Sequence, residues 1–310
     1  MRPNLLHLLY GLATYIPGFT RLHTRKTGGT DTADYCYSVW LRHLIWLRNA
    51  GCNNMPRVVA ELGPGDSIGV GLAALLSGAE KYFALDVVKH ADLNSNLEVF
   101  ERLVVLFQSS GPIPEIDNVK PGLDDVSFPR DLLNDFGRLD LSDQRLDRIR
   151  DSIRNPDSVD SLIKYQVPWA NTETVELGSV DLIFSQAVLE HVDDLEVTYK
   201  AMFKWLSGGG FMSHQIDFKC HNTFPQWNGH WTADELLWSM IRGRQPYLLN
   251  RESASTHRDF IQATGFDVIL EEVTNSETLI GVKDLAPRFN NMSVEDIETS
   301  GLFVVCKKRT

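Results

Sequence analysis

At 310 residues, 43% hydrophobic and 23% charged, the chain is long enough to bury a large core and too apolar to be disordered. Its formal charge of -11 argues against a nucleic-acid backbone as main partner, because phosphate contacts need lysine and arginine in excess. Cys36, Cys52, Cys220 and Cys306 are scattered with no CxxC pair, which excludes a zinc or dithiol motif and suits a cytoplasmic, reducing compartment.

The apolar run from Leu5 to Pro17 falls short of the roughly 18 residues of a membrane span. It reads as a helix packed on the domain; a second reading is peripheral membrane contact through residues 5–17. A basic loop rich in Thr and Gly, Arg21 to Asp31, follows. Thr32 or Asp31 then caps a helix to about Asn49, with Gly51 just past its end. Most of that helix reads as core, with Tyr37, Arg42 and His43 as its candidates for facing a cleft. Residues 1–56 thus form an N-terminal helical extension and 57–310 the main domain.

Val58 to Leu62 is a β-branched strand carrying Glu61 near its end. The glycine turn Gly63-Pro64-Gly65-Asp66-Ser67-Ile68-Gly69 leads from it into a helix over Val70–Leu76. At such a junction, glycines admit close backbone approach and a helix N-terminus offers unpaired N–H donors. A tight turn without ligand is the bland alternative. A second strand, Lys81 to Val88, carries Asp86 about 20 residues after the glycines, the spacing at which a carboxylate meets ribose hydroxyls. Its competing role is capping the next helix.

From about 95 to 160 the return to the sheet is delayed. Leu97, Phe100, Val104 and Phe107 repeat with helical spacing, Gly111-Pro112-Ile113-Pro114 stops that helix, and another runs from about Arg130 to Arg154. This predicts a helical insertion over the rim of the sheet, shaping a substrate pocket or making dimer contacts. Strands follow at Leu162–Gln166, Ser179–Gln186 and Phe211–Asp217, with a helix between the last two ending at Ser207–Gly210. A capping box at Thr232 and Glu235 opens a helix closed by Gly243, and Phe266–Val273 and Leu302–Lys307 are the last two strands.

Glu61-x-Gly63-x-Gly65, Asp86, and Asp181-Leu182-Ile183-Phe184-Ser185 with Leu189-Glu190-His191-Val192 together resemble the class I S-adenosylmethionine-dependent methyltransferases, over roughly Val58 to Lys307. The resemblance implies a Rossmann-like α/β fold whose seven-stranded, mostly parallel sheet ends on an antiparallel strand. It implies S-adenosyl-L-methionine as cofactor, with contacts at Glu61, Gly63, Pro64, Gly65, Asp66, Ser67, Asp86, Val87 and Gln186. Relatives often bind adenine with an acid after the third strand; Tyr165-Gln166-Val167-Pro168-Trp169 has none, leaving backbone near Gln166 and Val167 for that role. Glu190 and His191 read as structural fastenings of their loop.

Methyl transfer from a sulfonium asks the protein to align donor and acceptor and, for a hydroxyl, to take a proton. His221 is the expected base, oriented by Asp217, with His230 as alternative. His214, Trp227, Asn228, Trp231, Asn250 and Arg251 offer aromatic faces and polar groups to a small polar molecule or glycan precursor, so O-methylation is expected. No metal is assigned; His214, Asp217 and His221 have the residue types of a divalent site, ranked below the metal-free base. Two rivals stand: a non-catalytic cofactor-binding module, and a nicotinamide dehydrogenase, whose G-x-G-x-x-G spacing Gly69 misses by one residue.

Overall fold

A computed structural model describes residues 1–19, 29–117, 119–136, 139–169, 173–245 and 248–309. The basic loop expected at 21–31 lies mostly outside these residues. In chain order the elements are α1 (Leu5–Ala13), α2 (Ala33–Asn49), β1 (Val58–Leu62), α3 (Gly69–Leu76), β2 (Lys81–Leu85), α4 (Leu93–Ser109), α5 (Arg130–Phe136), α6 (Asp143–Arg154) and β3 (Ile163–Gln166). They continue with β4 (Val180–Gln186), α7 (Leu195–Trp205), β5 (Leu206–Asp217), α8 (Glu235–Arg242), α9 (Ala254–Thr264), β6 (Phe266–Asn275), α10 (Val294–Glu298) and β7 (Thr299–Lys308).

The strands form one sheet in the order β3-β2-β1-β4-β5-β7-β6. β1 to β5 pair in parallel and β7 is antiparallel, as the resemblance implies, and β7 inserts between β5 and β6. β1 and β4 are apolar on both faces because helices cover both. Strand order reverses between them, and the crevice outside their carboxyl ends is where such sheets bind ligands.

α2 is part of the core rather than an appendage. Tyr37 donates to the Gly111 carbonyl at 2.7 Å, Arg42 to those of Pro121 and Pro114, and His43 meets Ser213 Oγ at 2.7 Å, so none of the three faces the crevice. α1 is held elsewhere: the Asn4 N–H donates to Thr223, and the Arg244 N–H, just past α8, donates to Thr14 Oγ1. Leu5, Leu6, Leu9 and Leu12 stay exposed on its outer face. Among the described residues, no helix is long and apolar enough to cross a membrane.

The insertion departs from expectation. The run 130–154 is broken into α5 and α6, with Ser142 capping the second by accepting from the Arg145 N–H. α6 buries Leu146, Ile149 and Ile153 against the α3 and α4 layer. Arg145 donates to the carbonyls of Leu75 and Ala79 at the C-terminal end of α3, the end remote from the crevice. The insertion therefore extends the helical layer, and its loop bearing Asp117 and Lys120 reaches the rim beside Gln215 and Asp217. The glycines 208–210 lie inside β5 rather than ending α7. The expected Thr232–Glu235 box is replaced: Asp234 caps α8 through the Leu237 N–H, while Thr232 bonds back to Gly229 within a 3-10 turn.

Candidate functional site

The crevice floor is the turn after β1. Gly63 has φ +64 and Gly65 φ +74, and a Cβ on Gly63 would lie 2.7 Å from the Val188 side chain, so the turn accommodates only glycine there. The donors at its far side are already used. Gly65 N–H reaches Asp86 Oδ2 at 3.4 Å, Asp66 and Ser67 donate to Thr30 Oγ1, Ile68 to Asn96 Oδ1 at 3.0 Å, and Gly69 to Ser67 Oγ. Every backbone N–H from Gly65 to Gly69 is thus satisfied by the chain itself. The donors leading into the helix are occupied, by Thr30, Asn96 and Asp86 from elsewhere in the chain and by Ser67 locally.

Glu61 is 3% exposed and accepts from the Tyr82 hydroxyl at 2.5 Å. Burial pushes its carboxyl up to about 8, and the nearby Asp86 charge adds to the rise, against the lowering effect of Tyr82 and the Gly71 backbone. Asp86 follows β2, which ends at Leu85 rather than Val88, and its Oδ1 accepts from the Val87 and Val88 N–H groups. Burial raises its carboxyl above the ordinary carboxylate range despite those bonds. Beyond the 3.4 Å contact to Gly65, Oδ2 keeps acceptor capacity for hydroxyls. Tyr35, from α2, joins this region: burial raises its hydroxyl, and the charges of Cys36, Glu61 and Glu190 raise it further.

Across the crevice, β4 and β5 deliver a second group of side chains. The Gln186 amide donates to Gln215 at the strand ends. Asp217, the last residue of β5, faces His221 Nε2 at 3.5 Å, so the expected pair is brought together. Burial pushes Asp217 up, but hydrogen bonds from His221 and the Lys219 N–H, with their charges, leave it below the usual carboxylate range. The 3-10 turn 189–191 adds Glu190 and His191, whose ring centre is 5.1 Å from that of His221. Glu190 is 2% exposed and no side chain bonds to either carboxylate oxygen; the backbone N–H groups of Glu190 and Asp217 are its near donors. Burial, then the Asp217 charge, drives its carboxyl well above the ordinary value.

The other residues expected at an acceptor site are spent on the fold. His214 has no exposed surface and shares a 2.7 Å hydrogen bond with Ser185 inside the sheet. Asn228 is buried between Ile297 O and Thr278 Oγ1, and Trp231 donates to Arg251 O. Arg251 holds the Ala233 carbonyl and Glu235 while lying 4.7 Å over the Trp238 ring. Asn250 donates to Leu189 O and Val192 O and its N–H to Glu190 O, so it pins the 189–192 turn. Trp227 is half-buried with its indole on Glu277 O. His230 is 2% exposed against Trp231, and burial holds its imidazole down at about 3. His214 Nε2, His230 Nδ1 and Arg251 Nε have no hydrogen-bond partner, but all three atoms are buried.

Thr30, Tyr35, Tyr82 and Asn96 are the residues that sequence reading missed. Only Tyr82 carried a signal: its parallel-strand register with Val59 puts it on the Glu61 face of the sheet.

Residues 127–213 match the family model described as "Methyltransferase domain", a span from just before α5 through β3 and β4 into β5. No curated protein matches the chain. Among solved structures, an S-adenosylmethionine dependent methyltransferase from Mesorhizobium loti is 14% identical, covering 85% of this chain and 96% of its own, with TM-score 0.41. Haemonchus contortus phosphoethanolamine N-methyltransferase 2, in complex with S-adenosyl-L-methionine, is 14% identical over 97% of this chain and 60% of its own, at TM-score 0.44. A SAM-dependent methyltransferase from Methanosarcina mazei is 12% identical over 85% and 97%, at 0.42.

Proposed function

We propose that this chain, a class I S-adenosylmethionine-dependent methyltransferase by its strand order and its methyltransferase-domain match, transfers the methyl group to an oxygen of a small polar molecule or sugar precursor. The observation that carries the cofactor side is the closed set of N–H donors from Gly65 to Gly69. A dinucleotide needs such donors for its pyrophosphate. S-adenosylmethionine has no phosphate, so the glycine turn suits it and not a nicotinamide cofactor.

Bound, the cofactor supplies an electrophilic methyl on a sulfonium. Asp86 accepts from both ribose hydroxyls through its remaining lone pairs, with the Val87 backbone beside it. The turn Gly63, Pro64, Gly65, Asp66 and Ser67 lies under the sugar and amino acid portions, Glu61 closes the floor beneath the methionine, and Gln186 borders its end. At the acceptor end, His221 oriented by Asp217 takes the hydroxyl proton as the oxygen attacks the methyl carbon. The C–S bond breaks with its electron pair on sulfur, giving S-adenosylhomocysteine. The 3.5 Å contact between the two side chains supports this pairing, while the burial of His230 argues against it as base.

Four free, buried cysteines support a reducing, cytoplasmic setting. The exposed leucines of α1 are where the peripheral membrane contact expected through residues 5–17 would form; co-sedimentation with anionic vesicles tests it. Calorimetry with S-adenosylmethionine and S-adenosylhomocysteine tests the core reading: binding of both is expected, and failure of both to bind the purified protein would overturn it. A nicotinamide fluorescence titration should be flat. Cofactor binding without S-adenosylhomocysteine production across a broad acceptor panel would leave only a binding module.

A further inference from the structure

We propose that Glu190, His191 and His221 form a divalent-cation site at the acceptor end of the crevice. The inference deepens the methyl-transfer reading and rests on it. Each of the three offers one ligand atom, and these atoms lie within 4.8 Å of one another, as three ligands around one ion must. Glu190 is the independent sign. Its carboxylate is almost wholly buried, no side chain bonds to either oxygen although the backbone N–H groups of Glu190 and Asp217 lie near, and among the described residues no lysine or arginine pairs with it. A buried carboxylate in this state calls for a positive charge beside it.

The surroundings are built to hold those ligands still. Asp217 faces His221 Nε2, the carboxylate–imidazole arrangement that orients a metal-binding histidine and leaves its other ring nitrogen for the ion. Asn250 fixes the turn carrying Glu190 and His191 through the carbonyls of Leu189, Glu190 and Val192. The two stretches follow the ends of the adjacent parallel strands β4 and β5, where an acceptor meets the cofactor. The set differs from the one the sequence suggested: His214 is sealed in the sheet, and Glu190 and His191 replace it.

Two imidazoles and one carboxylate suit a first-row divalent ion such as Mn2+ or Zn2+ better than Ca2+, and three protein ligands leave positions open. The acceptor class follows: a molecule presenting a hydroxyl that can bind the ion. Coordination lowers that hydroxyl's pKa, its proton leaves to solvent, and the resulting oxygen attacks the methyl carbon as the C–S pair goes to sulfur. In the ion-bound protein His221 is a ligand and the ion takes over its task as base.

The test uses the full chain, stripped with chelator and titrated with Mn2+ followed by electron paramagnetic resonance, and with Zn2+ by calorimetry. One ion per chain is expected. Glu190→Gln, His191→Ala and His221→Asn should each weaken Mn2+ binding by about 10-fold or more, and Asp193→Asn, an exposed acid paired with Arg242, should not. If the buried Glu190→Gln variant does not fold, the half-buried His221 carries the test. A chain that binds S-adenosylhomocysteine but neither ion, or an His221→Asn chain binding Mn2+ as wild type does, overturns the cation site while leaving methyl transfer standing. Loss of cofactor binding in the wild type is the separate failure of the underlying reading.

Discussion

Tyr82 and Glu61 lie on neighbouring parallel strands, on the same face, and their side chains meet in a buried 2.5 Å hydrogen bond from hydroxyl to carboxylate. Gly71 of α3 makes the contact possible: a Cβ there would lie 2.0 Å from the Tyr82 ring. One glycine outside the turn therefore sets how β1, β2 and α3 close around the base of the crevice.

Tyr82→Phe should leave the Glu61 carboxyl buried without its donor, costing about 1–3 kcal/mol in urea denaturation. Gly71→Ala should cost at least as much, because the ring must move and the hydrogen bond goes with it. Unchanged denaturation midpoints in both variants would show that this contact does not hold the strands and helix together.

The raised Glu61 carboxyl gives a pH dependence of definite sign. Its folded value of about 8 lies above the unfolded value of about 4.3, so between them the folded state binds more protons and stability falls as pH rises. The contribution is fully present below pH of about 4.3 and lost by the time pH has passed through about 8. Glu61→Gln keeps a group that can accept from Tyr82 and cannot ionise. Relative to that variant, the wild type should lose stability steadily from pH 5 to 8; a pH-independent difference would refute the assignment.

The strands and the glycine turn between β1 and α3 were legible because period and turn chemistry are local, whereas the arrangement of the sheet was implied by the resemblance. The occupancy of the turn's donors was not legible, because Thr30 and Asn96 reach Asp66 and Ile68 from 36 and 28 residues away. Asn228, Asn250 and Arg251 show a different limit. A polar residue in a tryptophan-rich loop reads as a surface for ligands, yet Asn228 and Arg251 are buried, Asn250 is half-buried, and all three have partners inside the chain, and one sequence does not separate the two cases. For Glu190 the readings exchange places: it was expected to fasten its loop, and Asn250 does that instead, leaving the carboxylate without a side-chain partner.

Asp86→Asn should weaken S-adenosylhomocysteine binding by roughly 10-fold to 100-fold in calorimetry, the worth of hydrogen bonds to a charged acceptor. The remaining amide oxygen still accepts from Val87, so the thermal midpoint should move little. Wild-type affinity in this variant would mean that the ribose is held elsewhere.

Asn250→Ala should act on the reaction through the turn it pins. Losing its two side-chain donors to Leu189 O and Val192 O frees the carbonyls beside Glu190 and His191, and the predicted outcome is a kcat at least about 10-fold lower with S-adenosylhomocysteine affinity near wild type. A loss confined to stability would assign Asn250 to the scaffold alone.

His221→Asn separates chemistry from folding better than alanine does. His221 has φ +47, a left-handed conformation that asparagine tolerates well, and about a third of its side chain is exposed, so the variant should keep its thermal midpoint. Asparagine has no basic ring nitrogen to take a proton, and its amide answers poorly to a cation site shaped for imidazole. The expected result is kcat down by about 100-fold to 10,000-fold, the usual worth of a positioned base, with cofactor affinity unchanged because the side chain lies across the crevice from Asp86. Were turnover to persist at the wild-type rate, neither proton transfer nor cation binding at His221 would survive. The acceptor's activation would then have to be sought among other polar groups near the crevice, such as Tyr35, Gln186, Gln215 and Lys219.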